Sequence, residues 1–273
     1  MAYKTLLVDI KDRIAKITLN RPEKRNAYSP QMADDFAQAL EDLRYNDDAG
    51  VLVITGAGES FCAGMDLKEL FFGLKQNNPK EYDRINQVIT ASRGRTLRYY
   101  PKPTIAMVNG FCFGGAFPIV ECSDLAIAAD EATFGLSEIN FGMFPGGQVA
   151  RSIANIMRPR DALLYSLTGR TFDGRKAAEM GFVNFSVPRA KLEETTMALA
   201  REMTGKDPAA LKATKDSYRF SLEQSWEASM SYTAAKEHEV YAAQNGAWVK
   251  TGVGDFVQGK YKPGLQGHGG FKK

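Results

Sequence analysis

The chain is 273 residues long, with 44% apolar residues, a formal net charge of +3 and a pI near 8.6. That is enough apolar material for one large unit with a full core plus an appendage, and the charge is too mild to predict nucleic-acid binding. No apolar stretch approaches the roughly 20 residues of a membrane span, and no leader-like apolar core follows Met1, so the expected location is the cytoplasm.

In chain order, Leu6–Ile10 and Arg13–Leu19 read as two strands of a hairpin turning at Lys11-Asp12. Pro30–Tyr45 has apolar residues at helical spacing, with Ser29 placed to cap it. Val51–Ile54 reads as a strand, Asn78–Tyr99 as an amphipathic helix and Thr104–Val108 as a second strand. Gly115–Cys122 and the strand-like Leu125–Ala129 follow, so helical and extended runs alternate. Alternation of this kind implies βαβ units, and hence an α/β fold with a mostly parallel sheet. From about Leu192 the pattern is helical nearly to Ala247, broken at Asp207-Pro208, and the tail Lys260–Lys273 is rich in Gly and Lys. The expected organisation is a core over residues 1–191 and a helical region over 192–273.

Two glycine-bearing segments suggest chemistry. Ser60–Leu67, SFCAGMDL, follows the first of these strands and the break Gly56-Ala57-Gly58; Asn109–Pro118, NGFCFGGAFP, follows the second. Each reads as a strand running into a glycine turn that opens a helix. Amides at a helix start lack an intrahelical acceptor and sit at the positive end of its dipole, so two such turns face to face can hold a developing oxyanion. Glycine lets a ligand reach that backbone. A third segment, Ala132–Gly147, ATFGLSEINFGMFPGG, sets Glu138 among apolar residues with no histidine near it. A desolvated carboxylate has a raised pKa suited to taking and returning a proton; a solvated turn glutamate is the local alternative.

Other chemistries lack support. Cys62, Cys112 and Cys122 are odd in number and without metal-type spacing, and read as reduced thiols. The two histidines, His238 and His268, sit in no nucleophile pattern, which leaves no Ser-His-Asp triad and no histidine-bound metal. Without a Walker loop or a GxGxxG fingerprint, no nicotinamide, flavin or nucleoside triphosphate is expected.

In their order, NRPEKRNA (Asn20–Ala27), SFCAGMDL, KPTIAMVNGFCFGGAF (Lys102–Phe117) and ATFGLSEINFGMFPGG resemble the enoyl-CoA hydratase/isomerase, or crotonase, superfamily from about Leu6 to Pro263. Within it, AGMDLKE, KPTIAMVNG followed by CFGG, ATFGLSEIN and the terminal KPGLQ (Lys262–Gln266) are most similar to hydroxycinnamoyl-CoA hydratase-lyases. Those enzymes hydrate feruloyl-CoA or 4-coumaroyl-CoA and cleave the adduct to an aromatic aldehyde and acetyl-CoA. The resemblance implies a crotonase-like spiral of ββα units with a helical C-terminal region that builds a homotrimer, often paired into a hexamer. Its substrate is an acyl-CoA thioester, so coenzyme A arrives with the substrate and no separate cofactor or metal is expected.

The resemblance also implies roles for named residues. The amides of Met65 and Gly115 would hold the thioester oxygen, and Glu138 would activate water and pass a proton at the α carbon. Ala63 and Leu67 match positions that embrace the adenine; Lys24 and Arg25 lie where the CoA-lining loop runs, and Phe256 and Lys260 match a C-terminal pair that reaches the nucleotide, often from a neighbouring subunit. Asp66, Leu70, Gly114, Pro118 and Gly146 are expected beside the substrate. The chain also departs from its models. Two-glutamate hydratases carry a second acid where this chain has Pro118; Glu121, one turn on, is a replacement only if it is not paired or solvated. The lyases' two phenol-binding tyrosines fall on Leu70 and Ala234, with Tyr232 about 200° away around the helix from Ala234. The runner-up activities are a plain enoyl-CoA hydratase and a Δ3,Δ2-enoyl-CoA isomerase. A remote one is an RNA-binding relative using a basic face of Lys212, Lys215 and Arg219.

Overall fold

The structure is a computed structural model that describes residues 3–260; residues 1–2 and 261–273, with the KPGLQ segment at Lys262–Gln266 and His268, lie outside the described residues. Strands β1 (Leu6–Lys11) and β2 (Ile14–Leu19) form the expected antiparallel hairpin. Its turn is one residue later than the sequence suggests, because Asp12 and Arg13 both take positive φ, at 52° and 62°, and the right-twisted hairpin favours a two-residue turn of that hand. Helix α1 (Pro30–Arg44) starts where expected: the Ser29 hydroxyl accepts from the Met32 amide at 3.2 Å.

The chain then shuttles between two sheets. Strand β3 (Val51–Gly56) enters the larger sheet and β4 (Ser60–Cys62) the smaller; α2 (Pro79–Thr90) returns the chain. The same passage repeats through β5 (Thr104–Val108), β6 (Phe111–Phe113) and α3 (Phe117–Cys122), and again through β7 (Leu125–Ala129) and β8 (Thr133–Gly135). Helices α4 (Gln148–Ile156) and α5 (Pro159–Thr168) lead to β9 (Thr171–Asp173), α6 (Gly174–Glu179) and β10 (Phe185–Val187). The larger sheet has the order β1-β2-β3-β5-β7-β10, parallel except for β1; the smaller has β4-β6-β8-β9, parallel except for β9. Three-residue strands carry too little periodicity to be read from sequence, so the second sheet is absent from the sequence reading.

Two side-chain amides tie the strand connections together. Asn26 Nδ2 donates to the carbonyls of Ala57 (2.9 Å) and Ser60 (2.8 Å). Asn109 Nδ2 donates to those of Gly56 and Gly58, both at 2.9 Å. The β3–β4 turn is thereby pinned to both neighbouring segments.

The C-terminal region comprises α7 (Arg189–Thr204), α8 (Pro208–Ser221), α9 (Trp226–Ala243) and α10 (Gly254–Val257). α7 packs on β3, β5 and β7, whereas α8 and α9 pack on each other. Among the described residues no helix is long and apolar enough to cross a membrane.

An aromatic cluster anchors the smaller sheet. Phe134 of β8 stacks on Phe172 of β9 at 5.3 Å and meets Phe117 and Phe182 edge-on, at 6.4 and 5.7 Å. Phe134 is fully buried. Phe134→Ala should therefore destabilise the protein by about 3–5 kcal/mol, lowering the midpoint of guanidinium unfolding. It should also weaken turnover, because β8 leads directly to Glu138.

Candidate active site

Strands β4, β6 and β8 run parallel and end side by side. Beyond their carboxyl ends the chain turns through Ala63-Gly64-Met65, Gly114-Gly115 and Leu136-Ser137-Glu138. Open parallel sheets place ligands at this end of their strands. Here the three turns border a cavity of about 690 Å³.

Met65 forms an isolated parallel bridge with Tyr28. Tyr28 donates to Gly64 O at 2.8 Å, and Tyr28 O accepts from the Asp66 amide at 3.0 Å. Successive peptide groups of an extended chain point to opposite sides, so the N–H of Met65 itself is turned away from Tyr28, toward the cavity. Gly115 lies in the short helical turn Gly114–Ala116 that leads into α3, where amides have no intrahelical acceptor. The two backbones are very close: a Cβ on Gly115 would lie 2.7 Å from Met65 Cγ and 3.3 Å from Met65 N. A Cβ on Gly64 would meet Phe113 O at 2.8 Å and Gly115 N at 3.4 Å. Only glycines permit this approach.

Glu138 stands on the helical turn Ser137–Phe141 after β8. Its carboxylate faces the glycine turn, since a Cβ on Gly114 (φ +42°) would sit 2.4 Å from Oε1. Its Oε2 is buried with no hydrogen-bond partner among the described residues. Burial pushes the Glu138 pKa above the ordinary carboxylate value. A desolvated acid, two cavity-facing amides and a roomy apolar cleft form an arrangement able to polarise a carbonyl and move a proton beside it.

The remaining expected residues divide into two groups. Arg25, Ala63, Leu67, Leu70 and Gly114 line the cavity, as do Pro118 and Gly146. The Arg25 guanidinium lies over the Phe111 ring at 4.8 Å, and its carbonyl accepts from the Ala63 amide at 2.9 Å. Leu70 is buried and apolar. The others are not brought to the cavity in this chain. Asp66 pairs with Arg21 at 3.0 Å and accepts from the Glu69 amide at 3.0 Å, so its carboxylate fixes the turn into the helical segment Lys68–Lys75. Lys24 is exposed on the turn Pro22–Lys24. Tyr232 packs on Phe220 at 5.0 Å and lies under Lys236, on the face of α9 that meets α8. Phe256 and Lys260 are exposed beyond α9.

Glu121 is not a second acid for the cavity: it is buried, paired with Arg98 at 2.5 Å and bonded by Asn155 at 2.9 Å. The basic face of α8 is likewise turned inward. Lys215 pairs with Asp124 at 2.5 Å, Arg219 donates to Ser123 O at 3.0 Å, and Lys212 pairs with Asp216 at 2.8 Å.

Sequence reasoning missed part of the cavity wall. Tyr82, Asn86 and Ile89 face the cavity from α2, with Phe71 packed 6.2 Å from the Tyr82 ring. After α2 the helix widens into a π-helical turn, Ala91–Thr96, which turns Ser92, Arg93 and Gly94 all inward. A widened turn breaks the 3.6-residue period on which a helical face is read, which is why Arg93 gave no signal. The Gln148 side chain fills the space beside Gly94 and donates to Thr90 O at 2.8 Å.

Known proteins share this chain's sequence and fold. The family model for enoyl-CoA hydratase/isomerase matches residues 9–264. The chain is 47% identical to the hydroxycinnamoyl-CoA hydratase-lyase of Pseudomonas fluorescens over 97% of each chain. It is 31% identical to a probable enoyl-CoA hydratase of Mycobacterium bovis, over 90% of this chain and 93% of that one. Among solved structures, the enoyl-CoA hydratase from Bacillus anthracis superposes with a TM-score of 0.84 at 25% identity, covering 94% of this chain and 97% of that one.

The environment of Glu138 makes a stability prediction with a definite sign. Its native pKa is raised above that of the unfolded chain, so well below the ordinary carboxylate value both states hold the proton and no penalty arises. As pH rises through the raised native value, the unfolded state loses the proton more readily and stability falls. Glu138→Gln should therefore raise the thermal midpoint at about pH 8 and give little gain at about pH 4. Equal gains at both pH values, measured by circular dichroism, would show that the ionised carboxylate is not the source.

Proposed function

We propose that this chain, which belongs to the enoyl-CoA hydratase/isomerase family, is a hydroxycinnamoyl-CoA hydratase-lyase. The observation that carries the chemistry is the half-buried Glu138, whose carboxylate faces the Gly114-Gly115 turn with one oxygen, Oε2, buried and without a hydrogen-bond partner among the described residues. What supports the substrate is the near-full-length relative of that activity, together with an aromatic-rich cavity: Phe71, Tyr82, Phe113, Phe141 and Phe144.

In this reading the thioester oxygen lies between the amides of Met65 and Gly115, and the enolate is stabilised as it forms. Glu138 takes a proton from water as the oxygen attacks the β carbon, then returns a proton to the α carbon. Cleavage repeats that direction of proton flow, from oxygen through Glu138 to the α carbon. Glu138 removes the proton of the new β-hydroxyl, the bond between the α and β carbons breaks to give the aldehyde, and the acetyl-CoA enolate regains the proton. Water and feruloyl-CoA thus become vanillin and acetyl-CoA. Arg25, Ala63 and Leu67 form the end of the cavity that takes the nucleotide of CoA. The adduct's phenol points to the α2 wall, where Tyr82 and Asn86 carry the polar atoms that Leu70 lacks.

A homotrimer, paired into a hexamer, is the proposed assembly, built by the helical region from residue 192. The exposed Trp226, Met230, Tyr241, Val253, Phe256 and Val257 on and beyond α9 supply apolar surface for it. The cytoplasm is the proposed location. Cys62, Cys112 and Cys122 are all unbridged thiols, and burial pushes Cys62 up to about 11.

One observation favours a second reading. Leu70 is apolar and Tyr232 is engaged elsewhere, so an aliphatic enoyl-CoA would also find a compatible cavity. Chromatography of products separates the two. Feruloyl-CoA should yield vanillin and acetyl-CoA; brisk hydration or isomerisation of an aliphatic enoyl-CoA with no vanillin would assign the runner-up activity. Glu138→Gln should slow turnover by roughly 10²- to 10⁴-fold while leaving CoA affinity intact. Retained turnover would remove Glu138 from the reaction.

A further inference from the structure

Arg93 lines the cavity and takes no part in the proton transfers or CoA contacts described above. It is 6% exposed and, among the described residues, forms no ion pair. Other inward-facing guanidiniums differ: half-buried Arg98 pairs with Glu121, and buried Arg219 approaches Glu121 and Asp124 at 3.9 and 3.8 Å. Arg93 instead donates from Nη1 to Gly115 O and from Nε to Ile89 O at 3.5 Å. Its guanidinium lies 4.9 Å from the centre of the Tyr28 ring. The ionisable groups that face it are Tyr28, Cys62 and Cys122, and burial pushes the pKa of all three up, which keeps them neutral. A buried charge without a counter-ion is costly, and proteins retain one where it has something to do.

Its position suggests what that is. Gly115 N–H is one of the two cavity-facing amides, and Arg93 holds the same residue from behind by its carbonyl. Tyr28, whose ring it covers, is the strand partner of Met65, which carries the other amide. Arg93 therefore braces both halves of the oxyanion site. We propose that Arg93 is a positioning residue for that site, fixing the Gly115 and Met65 amides and supplying an unneutralised positive charge behind the thioester oxygen. This rests on the oxyanion reading above, but not on the identity of the acyl group. In a dry interior such a charge is weakly screened, so it favours the enolate over the neutral thioester.

The test uses the Glu138→Gln protein, which should bind thioester without turning it over. Difference absorbance of bound feruloyl-CoA and crotonyl-CoA reports carbonyl polarisation as a red shift. The expected result is a clear shift in Glu138→Gln alone, most of it kept with Arg93→Lys and more than half lost with Arg93→Met. With Glu138 intact, Arg93→Met should lower kcat about 10- to 100-fold and change KM by less than about threefold, with Arg93→Lys largely rescued. A full shift and unchanged kcat in Arg93→Met would overturn the proposal. So would equal losses in both variants that track lost thermal stability, the signature of a packing role. Absence of any shift with either thioester in Glu138→Gln alone would overturn the oxyanion site and Arg93's role together. A shift with crotonyl-CoA alone would remove the hydroxycinnamoyl substrate and leave Arg93 to be judged on the aliphatic thioester by the same comparison.

Discussion

Everything at this site depends on backbone approaching backbone more closely than side chains allow. Gly64, Gly114 and Gly115 stand where a Cβ would strike Phe113 O, the Glu138 carboxylate or the Met65 side chain. With no Cβ at these three positions, two amides and one carboxylate converge without a side chain from Gly64, Gly114 or Gly115 between them. The smaller sheet makes the convergence possible by ending three parallel strands side by side. The aromatic packing beneath it fixes those ends: Phe117, Phe134 and Phe172 come from three separate passages of the chain and share one cluster.

Charges sort by what satisfies them. Where Arg98 meets Glu121 and Lys215 meets Asp124, a buried ion is matched by its opposite, and the latter pair fastens α8 to the body. Asp66 is spent in the same way on Arg21. The cavity holds the exceptions. Glu138 is desolvated with one oxygen unbonded, and Arg93 is desolvated without an anion. Unmatched groups of this kind cost stability, and active sites are where that cost persists.

Much of this was legible in the sequence, for identifiable reasons. Long strands such as β3 and β5 are apolar on both faces, and α1 announces itself with Ser29 and Pro30. Glycine turns mark Gly64, Gly114 and Gly115 because no other residue fits there. The smaller sheet was not legible, since three residues show no period. The second break in the C-terminal helices, at 222–225, was also missed, because the stretch carries no Pro or Gly to mark it. Arg93 was hidden by the widened turn that carries it. Tyr232 shows the limit of reasoning by register: the sequence places it on a helix, but only packing decides that its ring meets Phe220 rather than the cavity.

The alternation of the chain between two sheets has a consequence for how the protein is made. Met65, Gly115 and Glu138 reach one another only after β4, β6 and β8 have paired, and each pairing closes a loop containing a strand of the other sheet. Non-local pairings of this sort form late, because chain entropy is lost before contacts reward it. No fragment ending before β8 contains the acid. A chain that has not yet reached β8 therefore lacks Glu138, and the acid faces the two amides only once the smaller sheet is assembled, so a nascent chain holds the parts of the site before it holds the site.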